Sequence, residues 1–148
     1  CYPKYNMKQT IKFSILIFSL FFISCKETKP TVEKKMMNVY SGNYEIKSLN
    51  NQQLERKLFF TIDSNENKIS GKTDCNTYFG NYIVTNNNKI EIEPLGVTKM
   101  YCEDDVMKVE SKLFKAFRST MTFNFDNNML TFYNKEGNLI IRAYKITN

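Results

Sequence analysis

From residue 43 onward the chain alternates apolar and polar side chains with a period of two, the mark of half-buried strands. Over 43–49, Tyr44, Ile46 and Ser48 fall on one face, with Glu45 and Lys47 on the other. Over 57–62, Leu58, Phe60 and Ile62 do the same. The pattern predicts further strands over 69–75, 80–85 and 89–94, the last setting Ile90 and Ile92 against Glu91 and Glu93, and again over 121–125, 129–133 and 139–145. Stretches rich in Asn and Asp separate them at 63–67, 86–88, 126–128 and 134–137, which is turn chemistry.

One segment breaks that period. Over 104–118, Val106, Val109, Leu113, Ala116 and Phe117 recur at helical spacing. Glu103, Asp104 and Asp105 stand at its amino end and Lys112, Lys115 and Arg118 toward its carboxyl end, as the helix dipole favours. About eight short strands with one amphipathic helix before the last three define an α+β class. The expected architecture is antiparallel and β-rich, a partly open barrel or sandwich with the helix over one end or face.

Ahead of residue 40 the patterning differs. Met7 is the expected translation start, with 1–6 an upstream extension of the reading frame. Lys8 and Lys12 form a short basic region, followed by an apolar run over 13–23 relieved only by serines. That run is too short to span a hydrocarbon core of ~30 Å as a helix. It has the length of an export signal. Its end, Phe22-Ile23-Ser24-Cys25, resembles the lipobox of bacterial lipoproteins. That resemblance implies that 1–24 is removed and that Cys25 becomes an acylated first residue, each buried CH₂ contributing about 0.8 kcal/mol of membrane affinity. Lys26 rather than Asp after Cys25 implies an outer-membrane destination, on its periplasmic or surface face. Residues 25–39 are charged, carry Pro30 and show no sustained period, so they read as a flexible tether to a domain over 40–148.

Charge then narrows the function classes. The formal net charge is +6, yet the 14 basic and 13 acidic residues from Asn43 onward leave only +1. The basicity belongs to the N-terminal segment, and the body lacks the basic stripe that phosphate binding requires, so nucleic acid is not an expected partner. The chain has no histidine, which removes the commonest general base and metal ligand and every Ser-His or Cys-His nucleophile arrangement. The abundance of Asn and Lys reads as coding bias rather than as function.

Of four cysteines, Cys1 precedes the mature chain and Cys25 is the acylation candidate, which leaves Cys75 and Cys102 in a compartment where disulfides form. A bridge between them closes a loop of roughly 28 residues, which stabilises by about 3–4 kcal/mol through chain entropy. The alternative is a redox-active or metal-binding pair, although neither cysteine belongs to a C-x-x-C motif.

Glu110 falls inside the apolar stripe of the predicted helix rather than opposite it. A carboxylate there must find donors, because an unpaired buried charge is very costly. It is either a tuned acid or ligand anchor, with Asp74 as a conceivable partner in a hydrolase, or a structural carboxylate that caps backbone N–H groups or pairs with Lys99. The structural role is the expectation, since no second catalytic candidate stands at a fixed spacing. The aromatic residues fill a core or line a ligand cavity, and in a small barrel side chains usually fill the interior.

Asp74-Cys75-Asn76-Thr77-Tyr78-Phe79-Gly80-Asn81-Tyr82 resembles the G-C-N-x-[YF]-x-G-x-Y signature of the META domain family, which includes the heat-shock lipoprotein HslJ, with Asp74 where the family commonly has glycine. Thr98-Lys99-Met100-Tyr101-Cys102 is similar to that family's T-x-M-x-C segment, and Glu110 with Leu113 and Phe114 falls where the family has its helix. Asn76, Tyr78, Gly80, Tyr82, Thr98, Met100 and Glu110 are thus the motif residues, and Asn76 is expected to order the turn after Cys75. The resemblance implies a small β-rich domain linked to stress tolerance and imports no active site. The expectation is a non-enzymatic, monomeric lipoprotein of the cell envelope without metal or cofactor. It would be held to the membrane by its lipid and would bind or stabilise an envelope protein under stress. The alternative is a carrier of a small apolar ligand inside the barrel.

Overall fold

The computed structural model describes residues 40–86 and 88–147. The expected signal, the acylation site Cys25 and the tether lie outside the described residues. Nine strands and one helix follow one another as β1 (Gly42–Leu49), β2 (Gln52–Asp63), β3 (Lys68–Lys72), β4 (Thr77–Thr85), β5 (Lys89–Ile92), β6 (Gly96–Val97), α1 (Asp104–Ser119), β7 (Thr122–Asp126), β8 (Met129–Tyr133) and β9 (Leu139–Lys145). No helix among the described residues is long and apolar enough to cross a membrane.

Every strand pairing is antiparallel, and the order β3-β2-β1-β9-β8-β7-β5-β4 returns to β3. The sheet therefore closes into an eight-stranded barrel, and β6 continues beyond β5 along the same edge of β4. One junction is thin. β5 and β7 share the single pair Lys89↔Thr122, with the Ile90 amide donating to the Met121 carbonyl (3.0 Å) and the Phe123 amide to that of Asn88 (2.9 Å). This seam is the thinnest pairing in a ring that is closed, where a partly open barrel was expected.

The interior is filled. Tyr44, Phe60, Tyr78, Tyr82, Phe117 and Phe132 are fully buried together with Ile46, Leu58, Ile69, Leu113, Leu130 and Ile141. Tyr44 stacks on Phe60 with ring centroids 5.2 Å apart. Helix α1 contributes through Phe117, whose ring meets Phe60 and Tyr78, each at 5.8 Å, and Phe132 at 6.5 Å. The helix thus lays its apolar stripe on the barrel and seats Phe117 in an aromatic cluster. Burial raises the phenol pKa of Tyr44, Tyr78 and Tyr82, since a phenolate there would lose its water.

Alternation located the strands but misjudged several ends. β2 begins at Gln52 rather than 57, because its polar first half still pairs with β1 through Gln52↔Leu49 and Gln53↔Ser48. β3 stops at Lys72 and β4 starts at Thr77, so the strands expected over 69–75 and 80–85 are instead parted by a tight turn at 73–76. A bulge between Ile46 and Ser48 shifts the register of β1 against both neighbours and brings Leu49 into the core beside Ser48. The two-residue β6 was not foreseen.

Asparagines at the turns share one backbone feature. Asn50, Asn51, Asn67, Asn86, Asn127 and Asn128 all have positive φ, and among the described residues no other non-glycine residue does. Asn50-Asn51 and Asn127-Asn128 form two-residue hairpin loops that need φ > 0 at both positions, which asparagine tolerates better than any β-branched or bulky side chain.

Candidate functional site

The motif residues converge on one knot of polar side chains between the β3–β4 turn, the 98–102 loop and helix α1. Thr73 orders the turn. Its backbone N–H donates to the Asn76 carbonyl (2.8 Å), and its hydroxyl oxygen accepts the amides of Cys75 (3.1 Å) and Asn76 (2.8 Å). The side chain of Asn76 points away from that turn. Its Oδ1 accepts the Met100 amide (2.8 Å) and the Thr98 hydroxyl (2.9 Å), while its Nδ2 donates to Glu110 Oε1 (2.9 Å) and to the Met100 carbonyl (3.4 Å). The orientation of the amide follows from chemistry: the Met100 N–H can only donate, so oxygen must face it. Asn76 thus takes part in the turn through its backbone, with Thr73 as the side chain that orders it, while its own side chain pins the loop to the helix.

Glu110 is 5% exposed. Its carboxylate accepts the Thr73 hydroxyl at Oε2 (2.6 Å) and the Asn76 amide at Oε1. The donors that the sequence required for a buried carboxylate are therefore side chains, Thr73 and Asn76, rather than backbone N–H groups or Lys99. Asp74 faces Arg56 at the surface (3.0 Å), so its carboxylate is engaged outside the knot. Arg56 also pairs with Asp105 in the first turn of α1. The Val106 amide and then Arg56 hold the exposed Asp105 carboxyl below the usual carboxylate range.

Cys75 and Cys102 form a disulfide across a sequence separation of 27, so the loop is fastened covalently at one end and by Asn76 in its middle. No cluster of three or more metal-ligating side chains occurs among the described residues. The remaining motif residues are packing devices. Tyr78 and Tyr82 fill the barrel and donate their hydroxyls to the carbonyls of Phe59 (3.3 Å) and Asp63 (3.4 Å). Gly80 gives room to Leu95, whose Cδ2 would lie 2.7 Å from a Cβ there. Thr98 also accepts the Thr77 amide (3.1 Å).

What the knot displays is less ordinary than what it holds together. Tyr101 is 89% exposed and Met100 59%, next to an exposed Lys99. Two large apolar side chains stand in solvent on backbone that a disulfide and an asparagine keep in place. Thr73, Gly71 and Arg56 escaped sequence reasoning. Thr73 lies two residues before Cys75, a spacing for a hydroxyl that caps a turn; a Cβ at Gly71 would collide with the Tyr78 ring at the position that lets this tyrosine cross the barrel.

Solved structures share this fold at low identity. A Burkholderia xenovorans protein solved by NMR is 14% identical with a TM-score of 0.57, the match covering 78% of this chain and 88% of that one. A DUF4847 family protein from Bacteroides vulgatus is 12% identical with a TM-score of 0.53, over 79% of this chain and 99% of the other. No curated protein sequence matches the chain significantly. The META domain matches residues 24–145. The signature that the sequence carried and the knot that the structure builds from it agree, and the chain belongs to the META domain family.

Proposed function

We propose that this chain is a lipid-anchored, non-enzymatic protein of the cell envelope whose META domain binds an envelope protein under stress through the 98–102 loop. One observation carries the reading: Tyr101 stands 89% exposed on backbone fixed by the Cys75–Cys102 bridge and by Asn76. Aromatic side chains and methionine are the residues that interfaces concentrate, and a tyrosine held ready for contact sacrifices little conformational entropy on binding. The knot beneath supports presentation rather than chemistry, because both oxygens of its carboxylate are occupied by neighbouring side chains. The filled interior counts against a carrier of small apolar ligands.

The test is a photo-crosslinking amino acid placed at position 101 of the full chain in living cells, with position 135 on a remote turn as control. The expected result is an adduct with a single envelope protein from 101 and none from 135, with Cys25→Ala releasing the chain from the membrane fraction. No adduct at 101, or the same adducts from both positions, ends the reading.

A further inference from the structure

The outer face of the barrel carries a groove of about 570 Å³ over β2, β3 and β4. That volume falls within the roughly 300–1,000 Å³ of small-molecule sites. Strand register sets out its chemistry in two rows. One row runs Thr61, Ser70, Phe79 and Gly96 across four paired strands, and the other runs Asp63, Lys68 and Asn81. Two hydroxyls thus lead to an aromatic ring, and beside them lie a carboxylate, an ammonium and a carboxamide.

Phe79 is held as a platform. A Cβ on Gly96 would lie 2.9, 3.1 and 3.3 Å from its Cζ, Cε2 and Cε1, three nearly equal distances that place the ring face-on over the glycine. One face of the ring rests on the Gly96 backbone, and the side chain is still 62% exposed, so the other face looks into solvent. Only glycine at 96 permits that arrangement, since any side chain would lift the ring.

We propose that this groove is a binding site for a neutral oligosaccharide, with a pyranose ring laid on Phe79. The axial C–H bonds of a sugar are electropositive and match the negative face of an aromatic ring. Its hydroxyls both donate and accept, so they can add to the bonds that Thr61, Asp63, Lys68 and Asn81 already make to Asn43, the 65–66 amides, Glu66 and Glu93, with Ser70 beside them. Competing ligand chemistries fit less well. Lys68 is the one cation among the lining residues, is shared with Glu66 and sits beside Asp63, so a phosphate would meet a single cation next to a carboxylate. An acyl chain would lie along hydroxyls. A strand-adding peptide would need an open edge, whereas Thr61, Ser70 and Phe79 in the groove are each paired on both sides. The site is separate from the protein-binding reading of the 98–102 loop, and either stands without the other.

The experiment uses the full chain, ¹⁵N-labelled in zwitterionic micelles, titrated with a hexamer of β-1,4-linked N-acetylglucosamine and with maltohexaose. At least one probe should give saturable amide shifts centred on Ser70, Phe79–Asn81 and Gly96 at millimolar concentration. Phe79→Ala should weaken that binding by at least about tenfold, and Phe79→Trp should restore it. Phe79 points outward, so both variants should keep the disulfide and the dispersed spectrum, which the same spectra report. Ile83→Ala, an exposed apolar side chain on the same strand outside the groove, should change nothing. Saturable shifts that survive Phe79→Ala would overturn the proposal, as would the absence of saturable shifts with both sugars.

Discussion

The barrel is fastened very differently at its two ends of responsibility, the knot and the seam. At the knot, a disulfide and a buried network through Thr73, Asn76 and Glu110 join a turn to a loop and helix that lie 24 to 37 residues further along the chain. At the seam, two backbone hydrogen bonds between β5 and β7 close the ring. A buried network is costly to breach, because each orphaned group loses its partner without gaining water, whereas a short ladder near solvent opens cheaply. Closure of this barrel rests on little, while placement of the 98–102 loop rests on a covalent bond and a buried network. Rigidity has been concentrated where side chains are displayed.

The largest expected effect comes from replacing Cys75 and Cys102 together by serine. Chemical denaturation should show a loss of about 3–4 kcal/mol, the chain-entropy value for a loop of this length. A loss under about 1 kcal/mol would mean that the rest of the knot holds the loop unaided.

Asn76→Ala strikes the same region without touching the covalent bond. It strands the Met100 N–H and the Thr98 hydroxyl and takes one of two donors from a buried carboxylate, so a cost of about 2–3 kcal/mol is expected. Amide signals of 98–102 should broaden or shift while those of β8 and β9 stay in place. If the damage instead spreads evenly through the barrel, the knot is no local device.

The smallest effect needs no mutation. In native-state hydrogen exchange the Ile90 and Phe123 amides, which bridge the seam, should open at lower free energy than the Met100 amide, which donates to Asn76. The reverse order would dissolve the contrast drawn between the two regions.

Much of the fold was legible because one physical rule, burial of alternate side chains, acts on most of the strands. Ile90 and Ile92 against Glu91 and Glu93 could scarcely be read otherwise. The ends were harder. Gln52 and Gln53 are exposed and polar, so nothing in their burial marks them as strand, and backbone pairing with β1 alone makes them so. The bulge near Lys47 inverts the inward parity of β1, which alternation cannot anticipate. In the site, the cysteine pair and Glu110 stood out because each breaks a local expectation. Thr73 did not, since a threonine in a β-rich chain is unremarkable until the turn it caps is seen. Asn67, Asn86, Asn127 and Asn128 fall in stretches legible as turns, whereas Asn50 and Asn51 did not stand out, because their value lies in a backbone angle that composition does not reveal.

The thin seam has a consequence for the life of the molecule in a crowded compartment. Were it to part, β5 and β7 would become two unpaired strand edges on one chain, each able to recruit the matching edge of a second copy. Such edges seed aggregates unless something blunts them. Here β5 is only four residues long and alternates its isoleucines with Lys89 and Glu91, while β7 ends in Asp126. Short, charged edges make poor templates, so a transient opening at this seam would offer a second copy little to pair with.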